Sequence, residues 1–306
     1  MSWETGNQIP RKKEFISNED LLKKKGFLEE REAKLLFYEF LRNNTTFATD
    51  LITGVQLFPF QHMAIKSMLE SDYFLGVWSR GMSKSYTTGI YAVLDAILNQ
   101  GVETGILSRS FRQSKMIFKK IEDIAAKPEA YLLKQCITHV SKSNDEWVME
   151  IGKSRIRALP LGDGEKLRGF RFHRIIIDEF LLMPERIYNE VIVPFLSVVQ
   201  NPTQREQLYQ VENKLIEQGK LSEEDRYQWP NNKLIALSSA SFKFEYLYKL
   251  YEQYENLISN PRNKERTRRC VMQFSYDCAP VQLYDQNLIN QAKATMSESQ
   301  FMREFG

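Results

Sequence analysis

Apolar residues at Leu21, Leu22, Phe27, Leu28, Leu35, Leu36, Tyr38 and Phe40 recur at roughly helical spacing over 19–41, and Asn18 stands where an N-cap belongs. The charged N-terminal stretch therefore reads as helix. The texture changes at Tyr73, where a short apolar run to Trp78 meets a polar turn and then a helical pattern over 86–99. A strand at 104–107, another polar turn and a helix at 112–126 repeat that unit. Residues 146–160 read as two strands around Gly152-Lys153, a hairpin candidate. Ile175, Ile176 and Ile177 are consecutive β-branched residues, as a parallel strand buried on both faces requires. A further apolar run covers 234–237, and the long charged stretch 204–232 before it reads as a helical excursion or a loop. Beyond Ser241 come a helical segment, a basic run, a short strand at 271–274 and a polar tail. Strands alternating with helices predict an α/β protein with a mainly parallel central sheet flanked by helices.

Composition narrows the picture only slightly. With 306 residues, 42% of them hydrophobic, the chain is long enough for one large domain or a domain with an appendage. The formal charge of +3 suits a nucleic-acid partner without demanding one. Cys136, Cys270 and Cys278 are scattered and lack metal-ligand spacing, which fits a reducing, intracellular setting. His62, His139 and His173 do not cluster, which argues against a histidine metal site. The N-terminus has no apolar core of a signal peptide, and nothing approaches the roughly 18 apolar residues of a membrane span, so no membrane association is expected.

The strongest local signal is Trp78-Ser79-Arg80-Gly81-Met82-Ser83-Lys84-Ser85, at a strand end and ahead of a helix. A phosphate loop has Gly-x-x-x-x-Gly-Lys-[Ser/Thr] in that setting. Lys84 and Ser85 occupy the required places, Trp78 and Ser83 stand where glycines are usual, and Gly81 lies between them. Backbone N–H groups of such a turn cradle phosphates; Lys84 would reach the β- and γ-phosphates, Ser85 would ligate Mg²⁺, and Arg80 is a second cation for the γ-phosphate. An ordinary polar turn fits the same residues.

The strand Arg174-Ile175-Ile176-Ile177 ends in Asp178-Glu179, a Walker B pattern. Asp178 would hold Mg²⁺ directly or through water, and Glu179 would orient and deprotonate the attacking water. Capping of the next helix, near Pro184, is the plainer use of two such acids. A dry strand delivering two carboxylates does, however, call for a cation at its end. Motif order, with Ser238-Ser239-Ala240 at a later strand end, predicts a P-loop NTPase of the additional-strand, catalytic-glutamate branch binding ATP and Mg²⁺.

From about Leu57 to Ser241, and more loosely to Phe305, these motifs resemble the large terminase subunit of tailed bacteriophages, in its ATPase motor domain. Its Walker A loop is deviant with a Ser-Arg start, as in Ser79-Arg80; Ser83 departs from its common glycine. Leu57-Phe58-Pro59-Phe60-Gln61 is similar to the family's adenine motif, which implies that Gln61 bonds the base and Phe60 packs on it. Ile106-Leu107-Ser108-Arg109 with Gln113 is similar to its second strand and helix, and Leu167-Arg168-Gly169 to an Arg-Gly element preceding Walker B. Ser238-Ser239-Ala240 resembles the coupling motif that senses the γ-phosphate. The resemblance implies an N-terminal helical lid over 1–56, an ATPase core over 57–245, and the end of the ATPase domain with the start of a linker over 246–306. The family's nuclease domain is not expected here. An arginine completes the active site in this family; Arg80 in cis, then Arg168 in trans, then Arg109 and Arg112 are the candidates.

The function so implied is ATP-driven translocation of double-stranded DNA into a procapsid. It would be performed by a ring of identical subunits, monomeric in isolation, with a portal protein and a small terminase subunit as partners in the host cytoplasm. The basic run Arg262, Lys264, Arg266, Arg268 and Arg269, and Lys115, Lys119 and Lys120 at helical spacing, are candidate phosphate-backbone contacts, although a solvated face reads equally well. Two rivals stay open. A two-domain helicase shares the motifs but needs a second α/β core after Ser241. A degenerate P-loop scaffold would explain the missing glycines but leaves Lys84, Ser85, Asp178 and Glu179 unexplained.

Overall fold

The structure, a computed structural model, describes residues 27–162, 167, 169–227, 229–240, 242, 244–260 and 267–306. The chain divides into two compact units, one ending at Ala48 and one from Thr49 to Gly306. The first holds helix α1 (Phe27–Asn43) and the opening residues of α2 (Thr45–Thr53), whose remainder belongs to the second, and in it Phe40 meets Phe47 edge-to-face at 5.6 Å. The expected cap Asn18, with Leu21 and Leu22, lies outside the described residues.

The second unit is built on an eight-stranded sheet in the order β3-β4-β5-β2-β6-β7-β1-β8. Its strands are β1 (Tyr73–Trp78), β2 (Glu103–Ser108), β3 (Ile137–Lys142), β4 (Trp147–Ile151), β5 (Ser154–Pro160), β6 (Arg174–Ile177), β7 (Lys233–Ser238) and β8 (Arg269–Phe274). Pairing is parallel from β5 through β2, β6, β7 and β1 to β8, and antiparallel across β3, β4 and β5. Every residue of β6 and β7 is buried, which is why 175–177 and 234–237 within them read as unbroken apolar runs. Helices α3 (Pro59–Glu70), α4 (Lys84–Leu98), α5 (Phe111–Ala125), the short α6 (Tyr131–Cys136) and, after the largely exposed α7 (Pro202–Glu217), α8 (Tyr246–Ser259) complete the unit; α3, α4, α5, α6 and α8 pack against strands. From Thr87 to Leu98 every residue of α4 is buried. Its Asp95 accepts from Arg174 Nε at 2.8 Å, each side chain 1% exposed. Among the described residues no helix is long and apolar enough to cross a membrane.

Two segments, β3 and the polar tail, differ from the sequence expectation, and one reading left open between helix and loop is decided. Strand β3 was not expected; all but its first residue are exposed at the sheet edge, so no buried alternation marks it. The charged stretch after Asn201 begins as a regular helix, α7, opened by Pro202. The polar tail carries two helices, α9 (Gln286–Thr295) and α10 (Glu298–Phe305). Asp285 caps α9 through the N–H of Asn287 at 2.9 Å, and Ser297 with Gln300 forms a capping box on α10. They share a small core of Ile289, Ala292 and Phe301, too few apolar positions to stand out from a polar sequence.

Candidate functional site

The parallel register places the C-terminal ends of β1, β2, β6 and β7 along one edge: Val77 pairs with Ser238, and Ile177 with both Leu107 and Ala236. Open α/β sheets bind ligands at that edge. At the end of β1 Trp78, fully buried, packs edge-on against Phe274 at 5.3 Å. The loop beyond it turns through Gly81 at φ +81° and Ser83 at φ +54°, and α4 begins at Lys84. Ser83 therefore adopts the left-handed backbone that glycine takes freely, and the unusual residue keeps a glycine-like turn. Lys84 Nζ donates to Trp78 O at 2.9 Å and Ser79 O at 3.1 Å, folding its ammonium back over the turn.

Two acids face this loop. Ser85 Oγ donates to Asp178 Oδ2 at 3.2 Å, and Asp178 Oδ1 accepts from the N–H of Glu179 at 3.1 Å. Burial first, and the neighbouring Glu179 charge second, push Asp178 up to about 6, against the pull of Ser85 and Lys84. Burial likewise pushes the Lys84 ammonium down, while Glu179 and Asp178 hold it up. Glu179 sits at φ +55°, a strained conformation of the kind that persists at functional sites. A buried carboxylate this reluctant to ionise beside a serine hydroxyl suits a divalent cation, which would supply the missing positive charge. No group of three or more His, Cys, Asp or Glu able to hold a metal exists among the described residues. An ion here would be held by Ser85 and Asp178, with water and phosphate oxygens completing its shell, as Mg²⁺ prefers.

The serines at the end of β7 bind both halves together. Ser238 Oγ accepts from the N–H of Leu181, just beyond the acid pair, at 3.0 Å. Ser239 Oγ lies 3.4 Å from Lys84 Nζ. Arg80, Gly81, Ser83, Lys84, Ser85 and Glu179 line one open cleft of about 990 Å³, whose far wall is Gln113, Met116 and Lys120 of α5 with Lys127 beyond it.

The remaining expected residues are placed as follows. Ser79 turns its hydroxyl to the carbonyls of Phe274 at 3.1 Å and Phe305 at 2.6 Å, and Met82 is fully buried, so each offers a phosphate only its backbone. Gln61 is buried; its Oε1 accepts from the N–H of Phe58 at 2.9 Å and its Nε2 lies 3.4 Å from Thr87 Oγ1. Phe60 is buried against Phe274 at 5.5 Å. Arg80 is exposed and ion-paired with Glu304. Arg168, and Arg262, Lys264 and Arg266 of the basic run, lie outside the described residues. Arg109 and Arg112 are exposed. Arg268 and Arg269 sit at the start of β8, whose register puts Arg269 beside Tyr73, at the opposite end of the sheet from the loop. Lys115 stands over the ring of Phe111 at 3.8 Å.

Sequence reasoning missed Tyr284, Glu304 and the cleft lining by Lys120 and Lys127. Tyr284 Oη donates to Arg80 O at 2.5 Å. The Ser297-x-x-Gln300 capping box was the one local signal that a helix carries Glu304.

No protein-family model matches the sequence, and no curated relative matches it. The fold is shared with solved structures. The large terminase ATPase domain of Thermus phage P74-26 is similar with a TM-score of 0.56 at 14% identity, over 84% of this chain and 95% of that one. A large terminase from a thermophilic bacteriophage follows with a TM-score of 0.53 at 10% identity, over 82% of this chain and 53% of that one. The same terminase in complex with ADP is similar with a TM-score of 0.51 at 12% identity, over 81% and 52%. The chain thus spans about half of that longer protein and nearly all of the separate ATPase domain.

Proposed function

We propose that this chain is the ATP-hydrolysing motor domain of a DNA-packaging machine of the large-terminase kind. One observation carries the proposal: Lys84, Ser85 and Glu179 line one cleft, and Asp178, bonded to Ser85, and Ser239, 3.4 Å from Lys84, bring a third strand end to the same residues. β7 lies between the loop strand β1 and the acid strand β6, the arrangement of the additional-strand, catalytic-glutamate branch of P-loop NTPases. The fold shared with terminase ATPase domains, one of them solved with ADP, supports the same reading.

In this reading the loop amides and Lys84 bind the β- and γ-phosphates, and Lys84 exchanges its contacts with Trp78 O and Ser79 O for phosphate oxygens. Ser85 and Asp178 would hold Mg²⁺, which would supply positive charge to offset the charge that develops on the phosphates. Glu179 aligns the attacking water and accepts its proton. Arg80, or Arg168 from a neighbouring subunit, completes the charge around the transferred group, a contribution of roughly 10³–10⁵ in rate. Ser239, in reach of Lys84, and Ser238, bonded to Leu181, register the loss of the γ-phosphate and pass it to α8. Double-stranded DNA is the moved substrate; a ring of copies, a portal protein and a small subunit are the proposed company.

The test is nucleotide binding and ATPase rate for the wild type and Glu179→Ala, with and without duplex DNA. Glu179→Ala is expected to bind ATP normally and to lose roughly 10²–10⁴ in turnover. A wild type that neither binds nor hydrolyses ATP with DNA present sinks the reading.

A further inference from the structure

Helices α9 and α10, which no motif marks, are clipped to the phosphate loop. Tyr284 Oη donates to Arg80 O at 2.5 Å, the N–H of Arg80 donates to Glu304 O at 2.9 Å, and Ser79 Oγ donates to Phe305 O at 2.6 Å. The Arg80 guanidinium also pairs with the Glu304 carboxylate. Glu304 is well enclosed, at 16% exposed, whereas the Arg80 side chain is 70% exposed. Arg303 is a second partner of Glu304 at 3.1 Å. Arg80 and Glu179 line both the main cleft and a smaller chamber of about 130 Å³, and Glu304 forms a wall of that chamber. The Glu304 charge also acts through space on Lys84.

We propose that Glu304 discriminates ATP from ADP, holding Arg80 while the terminal phosphate is absent and yielding it when a γ-phosphate arrives. The proposal rests on the nucleotide-binding reading above. Glu304 meets the guanidinium through its Nε, and a terminal phosphate carries more charge than a carboxylate. The γ-phosphate and Glu304 are also like charges brought toward the same cation, so they cannot share it without mutual repulsion. ADP, held by Lys84 and the loop amides, leaves the Arg80–Glu304 pair in place. ATP breaks it, and with it one of the clips that hold α10 on the loop. Glu304 is thus a positioning residue: it acts on the reaction through Arg80, and it makes the seating of α10 depend on the nucleotide.

The test uses the full chain with Mg²⁺, ADP and the non-hydrolysable β,γ-imido analogue of ATP, comparing the wild type, Glu304→Gln and Glu304→Asp. Glu304→Gln is expected to bind the analogue roughly three- to tenfold more tightly, with ADP affinity unchanged within about twofold, since the pair is partly solvent-screened. Glu304→Asp should restore the wild-type ratio. In the wild type, amides of 298–305 should exchange hydrogen faster with the analogue bound than with ADP. Affinities that move together or not at all, with exchange over 298–305 indifferent to the nucleotide, reduce Glu304 to a structural contact and overturn the proposal. Absence of binding by either nucleotide to the wild type is a distinct result, which removes the nucleotide-binding reading itself and this inference with it.

Discussion

Ser85 Oγ donates to Asp178 Oδ2 at 3.2 Å, joining the first turn of α4 to the end of β6 across 93 positions of sequence. That single bond seats the hydroxyl and the carboxylate where one cation can touch both, and it holds a carboxylate that burial would prefer neutral.

The stability of the protein should register that preference. Asp178 is raised from its ordinary 3.8 to about 6, so the folded state holds the proton more tightly than the unfolded chain. Stability then falls as pH rises from about 4 to about 6, and the penalty, about 3 kcal/mol, is complete above that window. Asp178→Asn is expected to be more stable than the wild type at pH 7.5, with the gain vanishing below pH 4, and to lose Mg²⁺-dependent nucleotide binding. Urea denaturation across that pH range measures it; a variant less stable at pH 7.5 contradicts the assigned cause.

Ser83 holds φ +54° at the head of α4. A left-handed backbone costs an L-residue about 1–2 kcal/mol, while glycine gives back about 0.5–1 kcal/mol through its unfolded-state freedom. Ser83→Gly should therefore raise stability by roughly 0.5–1 kcal/mol and keep nucleotide affinity. A loss of stability would mean that the hydroxyl has a structural use of its own.

Asp95 and Arg174 form a pair buried from water on both sides, and Arg174 Nη2 has no hydrogen-bond partner. Asp95→Ala leaves a guanidinium charge uncompensated in the core, and a loss of about 3–5 kcal/mol is expected. Denaturant midpoints give the value. A change under about 1 kcal/mol would show that Arg174 finds another partner or water.

Ser239 Oγ approaches Lys84 Nζ at only 3.4 Å, a weak contact. Ser239→Ala is expected to change nucleotide affinity by less than about threefold while DNA-stimulated ATP turnover drops by more than tenfold, because the serine matters when the γ-phosphate leaves. Turnover with and without duplex DNA decides it; equal DNA stimulation in both proteins removes Ser239 from the coupling role.

Much of this site was legible in sequence because it is local. The apolar run 73–78 before Lys84-Ser85, and the isoleucines before Asp178-Glu179, announce buried strands through residues that must be apolar on both faces. The α/β alternation and the order of motifs follow from the same short-range periodicities. What only the tertiary structure decided concerns polar groups whose partners lie far along the chain. Ser83 is visible as a departure from glycine, but its left-handed turn is set by the strand behind it and the helix ahead. Gln61 reads as a base contact from the sequence, and only the fold shows its amide meeting Phe58 and Thr87. Glu304 is one charge in a polar tail until α10 lays it on Arg80, 224 positions earlier by the numbering of the two residues. Hydrophobic patterning is written residue by residue, because burial acts on each side chain separately. The choice of a hydrogen-bond or ion-pair partner depends on distance and orientation between segments, which exist only once the sheet has brought its strand ends to one edge.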